Sequence, residues 1–251
     1  MKGPPEDIEN KNSTKSPLMQ SQAPDIRPDK DANEQEDQIK ITFYTDPLCC
    51  WSWAFEKHWR KLIQEHGDEI SYELIMGGMI PSWTKYNDPL NSISTPAQMG
   101  PLWMYASQIT RSPMYHQIWV EDPPSSSFPP SIAVKTAGLQ SARAAEQYLF
   151  NIRKAMMERG VNIAREDALL RIARGLEVDD FDIDTFVKDW KAGNGKEPFR
   201  ADLSKTRFHA IGRFPTLTFQ GTSGKGIMLI GYRPYEVLKE AFDYMRQVNK
   251  L

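Results

Sequence analysis

Cys49 and Cys50 stand side by side, with Ser52 close behind, in Thr-Asp-Pro-Leu-Cys-Cys-Trp-Ser-Trp-Ala-Phe over residues 45–55. They are the two cysteines of the 251-residue chain. An ionised thiol attacks disulfides, and it ionises most readily at a helix N-terminus, where free N–H groups and the dipole favour negative charge. The Ser52 hydroxyl can donate to such a thiolate. Cys50 is worse placed to resolve a mixed disulfide, because adjacent helical residues point about 100° apart. A Cys49–Cys50 disulfide would also close a small, strained ring.

The flanking residues supply the elements that would position this thiol. Ile39, Ile41 and Phe43 alternate as in a half-buried strand. Phe55, Trp59, Leu62 and Ile63 recur at helical spacing. Strand, Asp-Pro break, cysteine and helix follow in that order. Ile70 to Met76 reads as a second strand, and a crossover of this length favours a parallel pair.

With Asp46, Pro47, Cys49, Trp51 and Trp53 in place, the stretch resembles the DsbA-like branch of the thioredoxin superfamily, in particular its FrnE-like group. That family carries Cys-x-x-Cys at the start of the first helix. Here Ser52 holds the fourth position and the second cysteine is Cys50, so the motif reads as a Cys-x-x-Ser variant. In the family a cis proline packs opposite the cysteines, and Pro215, preceded by Phe214 and followed by Thr216, matches it. The resemblance spans about Ile39 to Leu251. It implies an α/β thioredoxin-like fold with an inserted helical domain, divided as 39–94 with 213–251 for the thioredoxin-like part and 95–212 for the insert.

The insert is expected to be helical. Thr95-Pro96 is a cap and first-turn pair, Ser131 a cap after a Pro/Ser-rich break, and Ser141 to Arg159 the strongest helix, ended by Gly160. Helices are expected at Arg165 to Arg174, from Asp182 to near Gly193, and through Leu203 and Phe208, with their aromatics in the core. Strands return as a hairpin, residues 215–220 and 226–231, before a closing helix from Tyr232. Met79 to Ser94 reads as an irregular ordered loop whose aromatics either line a groove beside the thiol or pin the loop to the body. Residues 1–38, rich in proline and acids and lacking aromatics, read as a disordered tail.

Composition narrows the function. A net charge of −2 and a pI near 6.1 give no mark of a nucleic-acid or polybasic membrane binder. No run approaches the roughly 18 apolar residues of a membrane span, and no signal-peptide core is visible. Two adjacent cysteines make no disulfide framework, so a cytoplasmic location is expected. The four histidines lack metal-ligand spacing, so no metal is expected. Gly221 to Gly226 lies between strands and reads as a hairpin turn, not a phosphate loop.

The leading expectation is a thiol-disulfide oxidoreductase or isomerase acting on protein or glutathione disulfides. Cys49 would be its nucleophile, Ser52 would polarise it, and Cys50 would be an auxiliary thiol. Trp51, Trp53, Phe214, Pro215 and Thr216 would bind substrate. No cofactor is expected beyond glutathione as a co-substrate, and the oligomeric state is open. The alternatives are a non-catalytic thioredoxin-like adaptor and a glutathione-dependent isomerase or transferase of the 2-hydroxychromene-carboxylate isomerase type.

Overall fold

A computed structural model describes residues 38–221 and 224–249. The expected tail, residues 1–38, falls outside this range apart from Gln38, as do residues 222 and 223 of the expected hairpin turn. The elements run β1 (Ile39–Thr45), α1 (Cys50–His66), β2 (Ile70–Met76), α2 (Met99–Thr110), α3 (Ile118–Glu121), α4 (Phe128–Ala137), α5 (Ala142–Arg159), α6 (Glu166–Arg174), α7 (Ile183–Ala192), α8 (Lys196–Phe208), β3 (Thr216–Gln220), β4 (Gly226–Ile230) and α9 (Tyr235–Asn249). The sheet order is β2-β1-β3-β4, with β1 parallel to β2 and antiparallel to β3. This is an α/β thioredoxin-like fold with additional helices inserted.

Strand β1 alternates Ile39, Ile41 and Phe43 with polar or aromatic residues, which suggested one solvated face. Both faces are buried instead, apart from Lys40. The reason is its central position between β2 and β3, with helices on both sides. Ile39, Ile41 and Phe43 pack with Phe55, Trp59 and Leu62 of α1 and Leu238, Phe242 and Met245 of α9. On the opposite face Tyr44 hydrogen-bonds His209, just past α8.

The capping chemistry sets most helix boundaries. Ser141 accepts the Ala144 N–H at 2.9 Å to start α5, and Gly160 ends it in the left-handed region (φ 64°). Asp182 accepts the Thr185 N–H at 2.7 Å and Gly193 closes α7 the same way. Ser131 does not cap: α4 already begins at Phe128, and the Ser131 hydroxyl donates to the Ser127 carbonyl at 2.7 Å inside it. Phe208, expected in the core, is 84% exposed at the end of α8.

The inserted helices share a core with the cysteine-bearing end of the sheet. Leu48, Cys50, Trp53 and Met76 lie in one apolar cluster with Trp103, Trp119, Ile152, Met156 and Phe186. Through this cluster runs a fully buried cation, Arg153 of α5. Its Nη1 pairs with Glu56 of α1 at 3.0 Å, and its Nη2 donates to Thr45 and to the Asp46 carbonyl, the latter at 3.2 Å. Removing one partner of a buried pair leaves a charge without water or counterion. Arg153→Met is therefore expected to destabilise the chain by about 3 kcal/mol in denaturant titration, and Glu56→Gln added to it to cost less than the two changes summed. Strict additivity would remove Arg153 as the tie between insert and sheet.

Candidate functional site

The sheet brings three segments to one end. β1 and β2 finish together, Thr45 opposite Met76, and the Gly77 N–H donates to the Thr45 carbonyl at 2.7 Å. β3 starts there with Thr216 opposite Tyr44. The loops after β1 and β2 and the turn before β3 thus converge, as is usual for sites at strand ends in α/β sheets. Gly77 permits the closest approach: a Cβ there would lie 1.9 Å from the Phe214 ring.

Asp46 fastens this end of the fold. Its carboxylate is fully buried, with one oxygen accepting the Leu48 N–H at 2.9 Å and the other the Met79 N–H at 2.6 Å. One side chain thereby holds both the cysteine loop and the loop after β2. Burial lifts its pKa from 3.8 to about 6, against the pull of those N–H groups, the Ser127 hydroxyl and Arg153.

Cys49 is the N-cap of α1, with Sγ accepting the Ser52 N–H at 3.4 Å. Its thiol also donates to the Phe214 carbonyl at 3.3 Å across a cis Phe214–Pro215 peptide. Cys49 and Cys50 are 4% and 2% exposed and both are free. Burial raises the Cys49 pKa above the ordinary thiol range, and the Asp46 charge adds to this; Ser52 and Arg153 pull the other way and lose. Cys50 is raised further, by burial and then by Cys49. The Ser52 hydroxyl is buried without a partner in this geometry, although turned towards Cys49 it would favour a thiolate. The site is therefore built around a neutral thiol. A thiolate would face the Phe214 carbonyl oxygen with no proton between them.

The remaining residues expected at the site divide. Trp51 is half-buried and lies between Tyr105 and Tyr232, with ring centroids 6.2 and 6.0 Å away. Trp53 turns into the core, where its indole N–H donates to the Pro113 carbonyl at 3.1 Å beside Phe150. The Thr216 side chain is buried, its hydroxyl donating to Arg213 at 2.8 Å. The Pro215 carbonyl accepts the Gly231 N–H at 2.7 Å, so with Phe214 bound to Cys49 both carbonyls flanking the cis bond are taken.

In the loop after β2, Trp83 is pinned to the body by Trp119 and the Pro124 carbonyl. Tyr86 is half-buried, and burial and then the Asp88 charge raise its pKa. His58 is half-buried and hydrogen-bonds Tyr232 at 3.0 Å. Arg153 and Tyr232 join the site without a motif that marks them. Arg153 was detectable as a cation beside Leu149, Ile152 and Met156 on an otherwise apolar helix face.

One more feature adjoins the cysteines. Met104, Tyr105 and Ile109 of α2 are 53%, 56% and 54% exposed, and the helix contains no charged residue. Tyr105 carries this apolar face onto Trp51. Among the described residues there is no group of three or more potential metal ligands, and no helix long and apolar enough to cross a membrane.

Residues 43–240 match a family model described as Thioredoxin. The chain is 27% identical over 223 residues to the ClpXP adapter protein SpxH of Halalkalibacterium halodurans, covering 86% of this chain and 72% of that protein. It is 25% identical over 206 residues to SpxH of Bacillus subtilis, covering 80% and 66%. Among solved structures it superposes with a TM-score of 0.70 on a Nitrosomonas europaea protein provisionally called a protein disulfide isomerase, at 20% identity over 84% of this chain and 98% of that one. That likeness shows the fold alone.

These findings correct the leading expectation. The thioredoxin-like reading stands, but the assignment to a FrnE-like oxidoreductase enzyme with a redox-active Cys49 does not. The cysteines are adjacent, buried and held neutral, and the curated relatives matched over most of the chain are adapter proteins.

The Asp46 carboxyl gives a test of this electrostatic picture. Its folded pKa is raised, so its contribution to stability is fully present below about pH 3.8 and lost as pH rises through about 6. The span amounts to ~3 kcal/mol. Stability curves of the wild type and Asp46→Asn are expected to diverge between pH 4 and 6, with the variant lacking this fall. Parallel curves would mean that Asp46 titrates at an ordinary carboxylate value.

Proposed function

The chain belongs to the thioredoxin family, and from that premise we propose that it works as a binding adaptor that delivers a protein to a protease of the ClpXP type. The observation that carries this reading is the apolar α2 face beside a cysteine loop whose thiols are sealed. Exposed apolar surface rimming a former reaction centre is what a partner-binding surface requires. A buried thiol with a raised pKa is what a nucleophile must avoid. The names of the SpxH relatives point the same way.

In this reading Cys49 and Ser52 are structural. Cys49 caps α1 and ties it to Phe214, and Ser52 supplies the capping N–H. Trp51, Phe214 and Pro215 form the edge of the partner surface, continued by Tyr105 and the α2 face, while Trp53 and Thr216 support it from within. Free thiols with no disulfide suit a reducing compartment, and we place the protein's work in the cytoplasm on that ground.

The test is a degradation assay in cell extract supplied with ClpXP and ATP, followed by quantitative mass spectrometry. The chain is expected to accelerate loss of a specific client, and a Cys49→Ser, Cys50→Ser variant to do so within about twofold. Met104→Glu with Ile109→Glu, which puts two charges on the apolar face, is expected to slow delivery by more than about tenfold. Delivery that needs Cys49, or turnover of a scrambled-disulfide substrate, would contradict the reading.

A further inference from the structure

A second surface lies on the inserted helices. Between α5 and α6 the chain encloses an open cleft of about 460 Å³. Ala155, Ala168 and Ile172 form its apolar floor, and Lys154, Arg159 and Arg171 stand around it. No lining residue is acidic. Among the described residues neither Lys154 nor Arg159 has a carboxylate partner. Arg171 pairs, among the described residues, only with Asp167, at 2.9 Å and with both side chains well exposed, a contact that water and salt weaken.

Arg159 and Arg171 sit in the last turns of α5 and α6, where any cation complements the helix dipole. That accounts for two charges. Lys154, more than a turn earlier on α5, stands 6.0 Å from the centre of the Phe150 ring, at the outer limit of a cation–π contact. The apolar hollow that the three cations surround has no such account. Three cations without a lining acid also stand out on a chain whose net charge is −2.

We propose that this cleft binds an acidic peptide segment of a protein partner, with carboxylates on Lys154, Arg159 and Arg171 and one aliphatic side chain on the Ala155–Ile172 floor. The charge sign selects carboxylates, and the floor selects a segment that alternates acidic with aliphatic residues over one that is acidic throughout. The volume suits a few residues of extended chain. The site deepens the adaptor reading, because an adaptor must hold two proteins and the α2 face offers only one surface. The cleft would bind its peptide whether or not that reading holds.

The experiment is fluorescence anisotropy of the full chain with a fluorescein-labelled peptide Asp-Leu-Glu-Leu-Asp. Binding is expected to saturate and to weaken as salt is raised. Lys154→Gln with Arg159→Gln is expected to weaken it about tenfold. Lys191→Gln with Lys196→Gln removes the same charge from exposed positions outside the cleft and is expected to change it less than twofold. An Asp-Ser-Glu-Ser-Asp peptide should bind severalfold more weakly, since it cannot use the floor.

Equal losses in the two double variants, or equal binding of the two peptides, would mean unspecific charge attraction and overturn the proposal. No saturable binding would overturn it as well. Tighter binding by a peptide of the chain's own residues 29–37 would overturn the assignment to a partner. Met104→Glu with Ile109→Glu should leave the anisotropy unchanged, so failure at the cleft is distinguishable from failure of the adaptor reading.

Discussion

A buried guanidinium ties this molecule together. Arg153 comes from the inserted helices, yet its partners are Glu56 of the first helix and Thr45 and Asp46 at the end of the central strand. Taking both charges out of water costs several kcal/mol per ion, and their attraction returns little beyond that. Such a pair contributes position more than stability. It requires α5 to sit in one place against α1, and the cysteine loop is fixed between them. One donor, Nε, is left without a partner, so the geometry serves the tie to the sheet over full satisfaction of the cation.

The electrostatics of the sheet end follow from the same burial. The inserted helices that bring Arg153 share a core with Leu48 and Cys50, and Asp46 and Cys49 beside them are buried. Both groups are thereby pushed towards their neutral forms, and the nearby cation only moderates this. Thioredoxin-like geometry at a helix N-terminus ordinarily favours a thiolate. Here desolvation outweighs the helix. A thiol that donates to a carbonyl and caps a helix holds Phe214 and α1 together. The chemistry available to the surface is then recognition, through the Trp51 and α2 face.

The sequence revealed the local elements well where one residue type settles a boundary. Ser141, Gly160, Asp182 and Gly193 each have a capping chemistry that needs no tertiary context, and each holds in the structure. The parallel β1–β2 pair was legible from the length of its crossover, and the cis Phe214–Pro215 bond from the family resemblance. The site was legible in its membership but not in its state. Cys49 at a helix start predicts a low pKa unless something covers it, and the cover comes from residues far away in the chain. Phe214 meets Cys49 only once β3 joins the sheet, and Trp103 and Ile152 share a core with Cys50 only once the insert folds back; periodicity carries no trace of either. Strand β1 hid its burial likewise, since Thr42 and Tyr44 look solvent-facing until helices are placed on both sides. Arg153 left a local sign, a cation on an apolar helix face, but its partners again lie across the fold.

The most direct measurement is intact-mass spectrometry of the folded chain after exposure to oxidised glutathione near neutral pH, beside the chain unfolded in denaturant. A mixed disulfide needs an accessible thiolate. A site built around a neutral, sealed thiol predicts that Cys49 and Cys50 stay unmodified in the folded chain over the time in which the unfolded chain reacts fully. Rapid addition of one glutathione to Cys49, with the fold intact, would show a poised nucleophile and contradict the account.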